Sequence, residues 1–213
     1  MRKIEQELNL LSSRIIEHSL LLSILKKFNY QNCNDKIARL RKQGVLTLLK
    51  KGVYLYEPIA QSQVCREQIS NILYGPSYVS LEYALSYYGM IPERVYALTA
   101  LTTNRSKSFK NSCGDFKYFQ ISPRLFSIGL EIRSVGKISY LMASREKALC
   151  DKIYMLRDVD LRSKKKMREC LEDDLRIDLE EVYGARLEIF EQYFQISKSK
   201  KIEMLKKIVE DLQ

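Results

Sequence analysis

Apolar and polar positions in the first 57 residues follow the period of α-helices at first and a strand-like pattern after Gly44. From Ser13 to Phe28 apolar side chains recur at spacings of three and four, which predicts an amphipathic helix with one broad buried face. The polar residues 29–32 interrupt that period and predict a turn. Residues 1–11 are amphipathic as well, and either extend the first helix or form a separate one.

A second, shorter helix is predicted from about residue 35 to residue 43. Asn32 or Asn34 supplies its N-cap, and Gly44 is suited to the position just after its end. Amide and guanidinium side chains on one face of such a helix suit the edges of bases in a DNA major groove. That polar stripe consists of Asn32, Lys36, Arg39 and Gln43.

Beyond Gly44 the pattern becomes that of strands. Residues 45–49 and 53–56 are β-prone and flank Lys50-Lys51-Gly52, which predicts a short hairpin. Lysines at the tip of a hairpin beside a DNA-reading helix can reach phosphates or a minor groove. Helix, turn, helix and hairpin in this order predict a winged helix–turn–helix domain over residues 1–57.

Charge supports the same interpretation. Eight lysines or arginines and a single acid lie between Lys26 and Lys51, whereas residues 58–213 carry 25 basic and 21 acidic side chains. The alternative is a solvated basic face on a small helical domain. A regulatory role for this segment requires that the hairpin is not buried against the rest of the protein.

The remainder, residues 58–213, predicts a larger α+β domain, with a sheet core at about 75–160 and a helical tail over 161–213. Several short β-prone runs indicate a small antiparallel sheet. Predicted helices are 60–74, one that begins at Ser80 and one capped by Ser144; predicted strands are 96–103, 116–121, 128–135 and 138–141.

Composition narrows the class of protein. The chain has 213 residues, is 46% hydrophobic and has a mean hydropathy of −0.27, with no apolar run near 20 residues, so no membrane contact is expected. The first residues lack the pattern of a signal peptide, and a cytoplasmic location is expected. Five scattered cysteines fit neither a disulfide framework nor a zinc site, and reduced thiols are expected.

Catalytic patterns are weak, and we expect no enzyme activity, no metal and no cofactor. The single histidine, His18, lies in the first predicted helix and is interpreted as structural. Asp158 and Asp160 have the spacing of a metal-binding pair but lack a Gly-Ser helix start before them. Glu131-Ile132-Arg133 has an arginine where a nuclease uses lysine. A nuclease or transferase is therefore a minor alternative.

A second basic run covers residues 162–168. Lys165 with Glu169, and Arg168 with Glu172, are four positions apart, which favours a solvated helix face that pairs with itself. The alternative is a second nucleic-acid patch.

Separated blocks of the sequence resemble the AbiEi family, the antitoxin components of type IV toxin–antitoxin (abortive infection) systems. The blocks are DKIARLRKQGVLTLLKKGVYLY, YVSLEYALSYYGMIPE, ALTALTTNR, GDFKYFQI and ASREKALCDKIY, and together they cover roughly residues 14–160. The resemblance implies a cytoplasmic autorepressor that binds inverted repeats in its own promoter. It also implies an antitoxin that counteracts AbiEii, a nucleotidyltransferase-like toxin, without necessarily forming a stable complex with it.

The resemblance also assigns candidate residues. The chain departs from the family pattern at Tyr83, where the family often has a small residue, and at Tyr88, where it often has histidine. A winged-helix regulator with a ligand-sensing C-terminal domain remains the main alternative. The implied DNA contacts are Asn32, Lys36, Arg39, Lys42, Lys50 and Lys51, with Tyr54 packing inside the wing. The implied antitoxicity residues are Tyr78, Ser80, Glu82, Arg105, Glu146, Lys147 and Asp151.

Overall fold

The computed structural model describes residues 2–11, 13–57 and 64–213 of an α+β protein. Residues 2–57, the N-terminal region, contain helices and a three-stranded antiparallel sheet of order β1-β3-β2. The elements are α1 (Arg2–Asn9), β1 (Ile15–Glu17), α2 (His18–Lys27), α3 (Cys33–Lys42), β2 (Leu46–Lys50) and β3 (Val53–Tyr56).

The single helix predicted over residues 13–28 is wrong at its start. Ile15 and Ile16 form a strand that pairs with β3, with Ile16 opposite Tyr54, and the helix begins only at His18. β-branched side chains pack well on a pleated surface, and the apolar spacing continued into the helix without a break. Residues 2–9 form a separate helix, which resolves the alternative left open by the sequence.

The second predicted helix and the hairpin are confirmed. α3 begins at Cys33, two residues earlier than predicted, with Asn32 at its N-cap position, and Gly44 takes a left-handed φ of +70° after its end. β2 and β3 pair antiparallel around Lys51-Gly52. Gly52 has φ +82°, a conformation that favours glycine at this turn.

The larger region, residues 64–213, alternates short helices and strands before a helical tail. Its strands are β4 (Ser77–Val79), β5 (Leu98–Thr102), β6 (Lys107–Asn111), β7 (Gly114–Gln120), β8 (Leu130–Val135) and β9 (Ile138–Ala143). Its helices are α4 (Arg66–Leu73), α5 (Leu81–Tyr87), α6 (Pro123–Phe126), α7 (Arg145–Met155), α8 (Lys164–Glu169), α9 (Leu187–Ser197) and α10 (Lys200–Asp211), with a π-helical turn at Cys170–Asp174 and a 3₁₀ turn at Leu179–Val182.

The strands of the larger region form one mixed sheet of order β6-β7-β5-β4-β9-β8. The four predicted strands exist, but the expectation of a small antiparallel sheet is wrong. β5 pairs parallel with β7, β4 pairs parallel with β9, and β4 and β6 had been missed. β4 is only three residues long, and β6 has a polar pattern with mostly exposed side chains.

The helices predicted for the larger region are present, although α4 begins later than predicted: residues 64 and 65 precede it. α4 confirms the later part of the helix predicted over residues 60–74, and residues 60–63 lie outside the described residues. Ser144 caps α7 by accepting a hydrogen bond from Lys147 N at 3.2 Å. Ser80 stands at the N-cap of α5, but its hydroxyl makes no cap hydrogen bond. Within the described residues, no helix is long and apolar enough to cross a membrane.

Strand β3 is buried on both faces and joins the two regions. Tyr54 and Tyr56 pack among the N-terminal helices, in a core that includes Leu25 and Leu40. Val53 and Leu55 point the other way and belong to the apolar core of the larger region. Hydrophobic packing therefore continues across the domain boundary predicted near residue 57.

Candidate functional site

Helix α3 has one anchored face and one exposed basic face. Ile37 and Leu40 are buried against the other N-terminal elements. Arg39, Arg41 and Lys42 are exposed on the outside of the helix. Arg39 and Lys42 are three positions apart and share one stripe of this anchored helix, whereas Arg41 lies at the margin of its exposed side. We call these three exposed cations the α3 basic face.

Two further predicted contacts border the α3 basic face. Asn32 is exposed at the start of the helix. The Lys36 ammonium lies 5.4 Å from the centroid of the Tyr30 ring, a cation–π contact, and it forms no ion pair with a carboxylate of the described residues. All four residues that the sequence placed on or beside this helix, Asn32, Lys36, Arg39 and Lys42, therefore lie on one side of the N-terminal region. Arg41 was not predicted.

The basic residues of α3 differ from those of α8 in their partners. In the part of the chain that the structure describes, Arg39, Arg41, Lys42 and Lys51 form no ion pair. In the second basic run, Lys165 pairs with Glu169 at 3.8 Å.

Its neighbours are paired as well: Lys164 with Asp211 at 2.7 Å, Lys166 with Asp160 at 2.7 Å and Arg168 with Glu172 at 3.4 Å. The two predicted pairs, Lys165 with Glu169 and Arg168 with Glu172, are confirmed, whereas Lys164 and Lys166 pair with carboxylates outside this helix. The positive charge of α3 is uncompensated by comparison.

An open groove of about 720 Å³ lies between α3 and strand β2. Both arginines of α3 line one wall together with Asp35, and Thr47 of β2 lines the other. The lining residues are Asp35, Ala38, Arg39, Arg41, Lys42, Leu46, Thr47 and Leu48.

Lys50 does not lie free at the hairpin tip, which corrects the sequence prediction. Its Nζ donates hydrogen bonds to the carbonyl oxygens of Leu73, at 2.6 Å, and Ile72, at 3.4 Å, at the C-terminal end of α4. Burial lowers the pKa of Lys50; the carboxylate of Glu17 opposes this shift and the ammonium of Lys107 adds to it. A cation suits a helix C-terminus, and Lys50 therefore binds the hairpin to the larger region rather than to an external partner.

One face of the hairpin is thus packed on the larger region. The expectation that the hairpin is not buried against the rest of the protein, on which the predicted regulatory role depended, is therefore wrong for this face. The Asn111 Nδ2 also donates to Leu49 O at 3.2 Å. At the turn of the hairpin Lys51 is exposed, and Gly52 O accepts a hydrogen bond from His18 N at 2.8 Å. Tyr54 packs in the N-terminal core, as predicted. Of the six predicted DNA contacts, Asn32, Lys36, Arg39, Lys42 and Lys51 stay at the surface, and Lys50 does not.

A second group of predicted residues meets deep inside the larger region, around the carboxylate of Asp151 on α7. Its Oδ2 accepts hydrogen bonds from Tyr78 Oη at 3.0 Å and from Ser80 Oγ at 2.8 Å. Its Oδ1 accepts from Tyr193 Oη and from Lys147 Nζ, both at 2.9 Å. All five residues are fully buried. We call them the Asp151 cluster.

The Asp151 cluster satisfies its own charges. Lys147 Nζ also donates to Leu125 O at 2.7 Å and lies 4.6 Å and 5.2 Å from the ring centroids of Tyr193 and Tyr78. Burial, together with the Asp151 charge, raises the pKa of both tyrosines well above its usual value, so they remain hydrogen-bond donors. A closed and fully bonded cluster of this kind ties α7 to β4 and α9. The structure gives these residues a packing role, and an antitoxic role for them stays a prediction.

Glu146 belongs to a different network at the start of α7. Its carboxylate accepts hydrogen bonds from the Arg186 side chain, at 2.9 Å and 3.3 Å, and from the Arg186 backbone N–H at 3.2 Å. Burial alone would raise the pKa of Glu146, but these hydrogen bonds lower it to about 2. Arg186 also pairs with Glu131 at 2.7 Å. This network joins the tail to the sheet.

The remaining two predicted antitoxicity residues lie apart from both networks. Glu82 pairs with Lys152 at 2.6 Å beside an open groove. Arg105 is exposed, and its backbone carbonyl accepts a hydrogen bond from Tyr74 Oη at 3.1 Å. The seven predicted residues therefore do not form one site.

Within the described residues, no group of three or more histidine, cysteine, aspartate or glutamate side chains is placed to hold a metal ion. A scan against protein-family models finds no match for this chain, and a search of curated proteins finds none either. The resemblance to the AbiEi family therefore rests on the sequence blocks alone.

Proposed function

We propose that the protein is a DNA-binding transcription regulator that reads a major groove with α3. The observation that carries this proposal is the α3 basic face: exposed cations on a rigidly anchored helix, without carboxylate partners in the described residues. The guanidinium groups of Arg39 and Arg41 can each donate two hydrogen bonds to a guanine edge, and the Lys42 ammonium can contact a phosphate.

The order of elements in the N-terminal region supports the proposal. Helix, strand, helix, turn, helix and hairpin, with the first strand beside the last, is the arrangement of a winged helix–turn–helix, in which the second helix of the motif enters the groove. In the proposed complex the hairpin contributes only its turn, through Lys51, because Lys50 is bound to α4.

DNA binding is tested with a labelled duplex from the region upstream of the gene, by fluorescence anisotropy. Arg39→Ala should weaken binding by about 1–3 kcal/mol, or roughly 5- to 150-fold, and relax preference at one base position. Lys165→Ala is the matched control, because Lys165 is exposed and already paired with Glu169. Equal affinity of wild type and Arg39→Ala for this duplex would remove α3 as the reading helix.

From the AbiEi resemblance we further propose that the regulator represses its own operon through inverted repeats and counteracts a nucleotidyltransferase-like toxin encoded beside it. This part of the proposal rests on the sequence blocks. Co-expression with the adjacent open reading frame should restore growth that the toxin arrests. Rescue by the Arg39→Ala variant would assign antitoxicity to the larger region, and lack of rescue by wild type would leave a regulator without antitoxin activity.

A ligand-sensing regulator is the alternative, and one structural feature favours it. A mainly apolar pocket of about 330 Å³ lies between the N-terminal sheet and the larger region, next to Ile15, Leu55 and Ile69. Pockets of this size at such a junction suit small molecules. Under this alternative, co-expression gives no rescue, and a small apolar compound changes the operator affinity of wild type but not of Gln68→Trp, which fills the pocket.

A further inference from the structure

The two outer edges of the six-stranded sheet differ in what lies beside them. The β6 edge lies beside β2 of the N-terminal hairpin, to which Asn111 donates a hydrogen bond. At the β8 edge, no strand in the described part of the chain pairs with the outer side. An exposed strand edge offers unpaired N–H and C=O groups to another strand.

Strand β8 also carries apolar side chains in solvent. Ile132 is 76% exposed and Val135 is 50% exposed, on a six-residue strand with the sequence LEIRSV. Protected edges normally carry charged side chains, proline or a bulge. The charges of β8, Glu131 and Arg133, lie on one face of the strand, and Ile132 is exposed on the other. The open edge and the exposed isoleucine coincide, which marks β8 as a pairing surface.

The charges on β8 indicate what kind of strand fits it. Glu131 and Arg133 point to the same face of the sheet, two positions apart, and Ile132 points to the other. The two charges already pair with each other at 2.6 Å, and Glu131 also pairs with Arg186, so a neighbouring strand meets an alternating pair of charges and not two free ones. An antiparallel neighbour should therefore present the same two charges in reverse order. A second β8 does so, because antiparallel pairing of identical strands reverses their order.

One register of two antiparallel β8 strands places opposite charges against each other and also brings the exposed isoleucines together. When Ile132 lies opposite Ile132 of a second copy, each Glu131 faces an Arg133, and the two isoleucines form a directly opposed apolar pair. A two-fold axis through residue 131 or residue 133 would instead oppose two like charges, which destabilises a strand pair. The charge pattern thus selects the register centred on Ile132.

We propose that β8 pairs antiparallel with β8 of a second copy, in this register, and that the sheet continues across a two-fold symmetric homodimer. This inference is independent of DNA binding. Pairing of a single short strand buries little surface, so the dimer should be weak and should dissociate on dilution.

Analytical ultracentrifugation of the full chain over a wide concentration range tests the proposal. Wild type should shift from monomer to dimer as concentration rises. Ile132→Lys should stay monomeric, since two ammonium groups would then oppose each other. Ile196→Lys, which changes an exposed isoleucine on α9, is the control and should dimerise as wild type does.

Charge exchange tests the register itself. Glu131→Arg and Arg133→Glu should each fail to dimerise alone, but a mixture of the two should form a heterodimer, and the double variant should dimerise again. Because Glu131 pairs with Arg133 of its own strand and with Arg186, melting curves must show that each variant is folded. If the Glu131 and Arg133 variants are not folded, Ile132→Lys remains the deciding variant, because it leaves the ion pairs of Glu131 intact. A wild type that stays monomeric, or dimerisation unaffected by Ile132→Lys, would overturn the proposal.

Discussion

Removal of the Asp151 carboxylate should cost more stability than removal of any surface carboxylate. In Asp151→Ala the buried ammonium of Lys147 keeps only the carbonyl of Leu125 as a hydrogen-bond acceptor. The hydroxyls of Tyr78, Ser80 and Tyr193 lose their acceptor as well. Breaking a buried ion pair on one side costs about 3–5 kcal/mol.

That cost is a large part of the total stability of a domain, which is about 5–15 kcal/mol. The melting temperature should fall by on the order of 10 °C, since about 1 kcal/mol corresponds to about 2–4 °C for a protein of this size. The free energy of unfolding is measured by urea denaturation followed by circular dichroism.

A second substitution separates the orphaned charge from lost packing. Lys147→Met in the Asp151→Ala background removes the uncompensated ammonium, so the double variant should be more stable than Asp151→Ala alone. Lys165 and Glu169 supply the matched cycle: the same two charges four positions apart on a helix, but exposed. Their coupling should be about 0.3–0.5 kcal/mol.

The reasoning is refuted if the coupling of Lys147 and Asp151 is no larger than that of Lys165 and Glu169. It is refuted equally if Lys147→Met makes the Asp151→Ala variant less stable. Either result would mean that the two charges do not depend on one another inside the core.

Two other predictions concern the contacts that join elements. Burial opposes ionisation of Glu146, but hydrogen bonds from Arg186, from Ser144 and from backbone N–H groups lower its pKa from 4.5 to about 2. Together these interactions contribute about 3 kcal/mol of stability above pH 4.5, which is lost as pH falls towards 2. Glu146→Gln should be less stable at neutral pH and should flatten the acid limb of a stability–pH curve; a curve parallel to that of wild type would contradict this. Lys50→Ala should lower the free energy of unfolding by about 1–3 kcal/mol and leave the salt dependence of DNA binding unchanged. Lys51→Ala should reduce the slope of log K against log salt concentration by about 0.9 and leave stability unchanged. The reverse pattern would place Lys50 on the DNA.

Local patterns in the N-terminal region were enough to predict α3 and the hairpin. Ile37 and Leu40 lie three apart beside a polar stripe, and a glycine stands after each element. Strand β1 was missed because Ile15 and Ile16 also fit the apolar spacing of the helix that follows. The direction of the Lys50 side chain depends on carbonyl groups more than twenty residues away, which no local pattern contains.

In the larger region, too, some residues were predicted from the sequence, but their distant partners were not. Four residues of the Asp151 cluster were named from sequence blocks, but their burial was not foreseen, and Tyr193 was missed because it comes from a tail helix outside those blocks. Arg186 was missed for the same reason, although a lone arginine before a helix start is a weak signal for a carboxylate partner. Strand β6 was missed because an edge strand needs no apolar face of its own.

The most direct test of the central claim is the salt dependence of duplex binding by two matched triple variants. Replacing Arg39, Arg41 and Lys42 with glutamine should reduce the slope of log K against log salt concentration by about 2–3 and abolish preference for the upstream duplex. Replacing Lys164, Lys165 and Lys166, which are paired on α8, should leave slope and preference unchanged. Equal slopes for the two triple variants, or a larger loss from the α8 variant, would contradict the assignment of α3 as the DNA-binding helix.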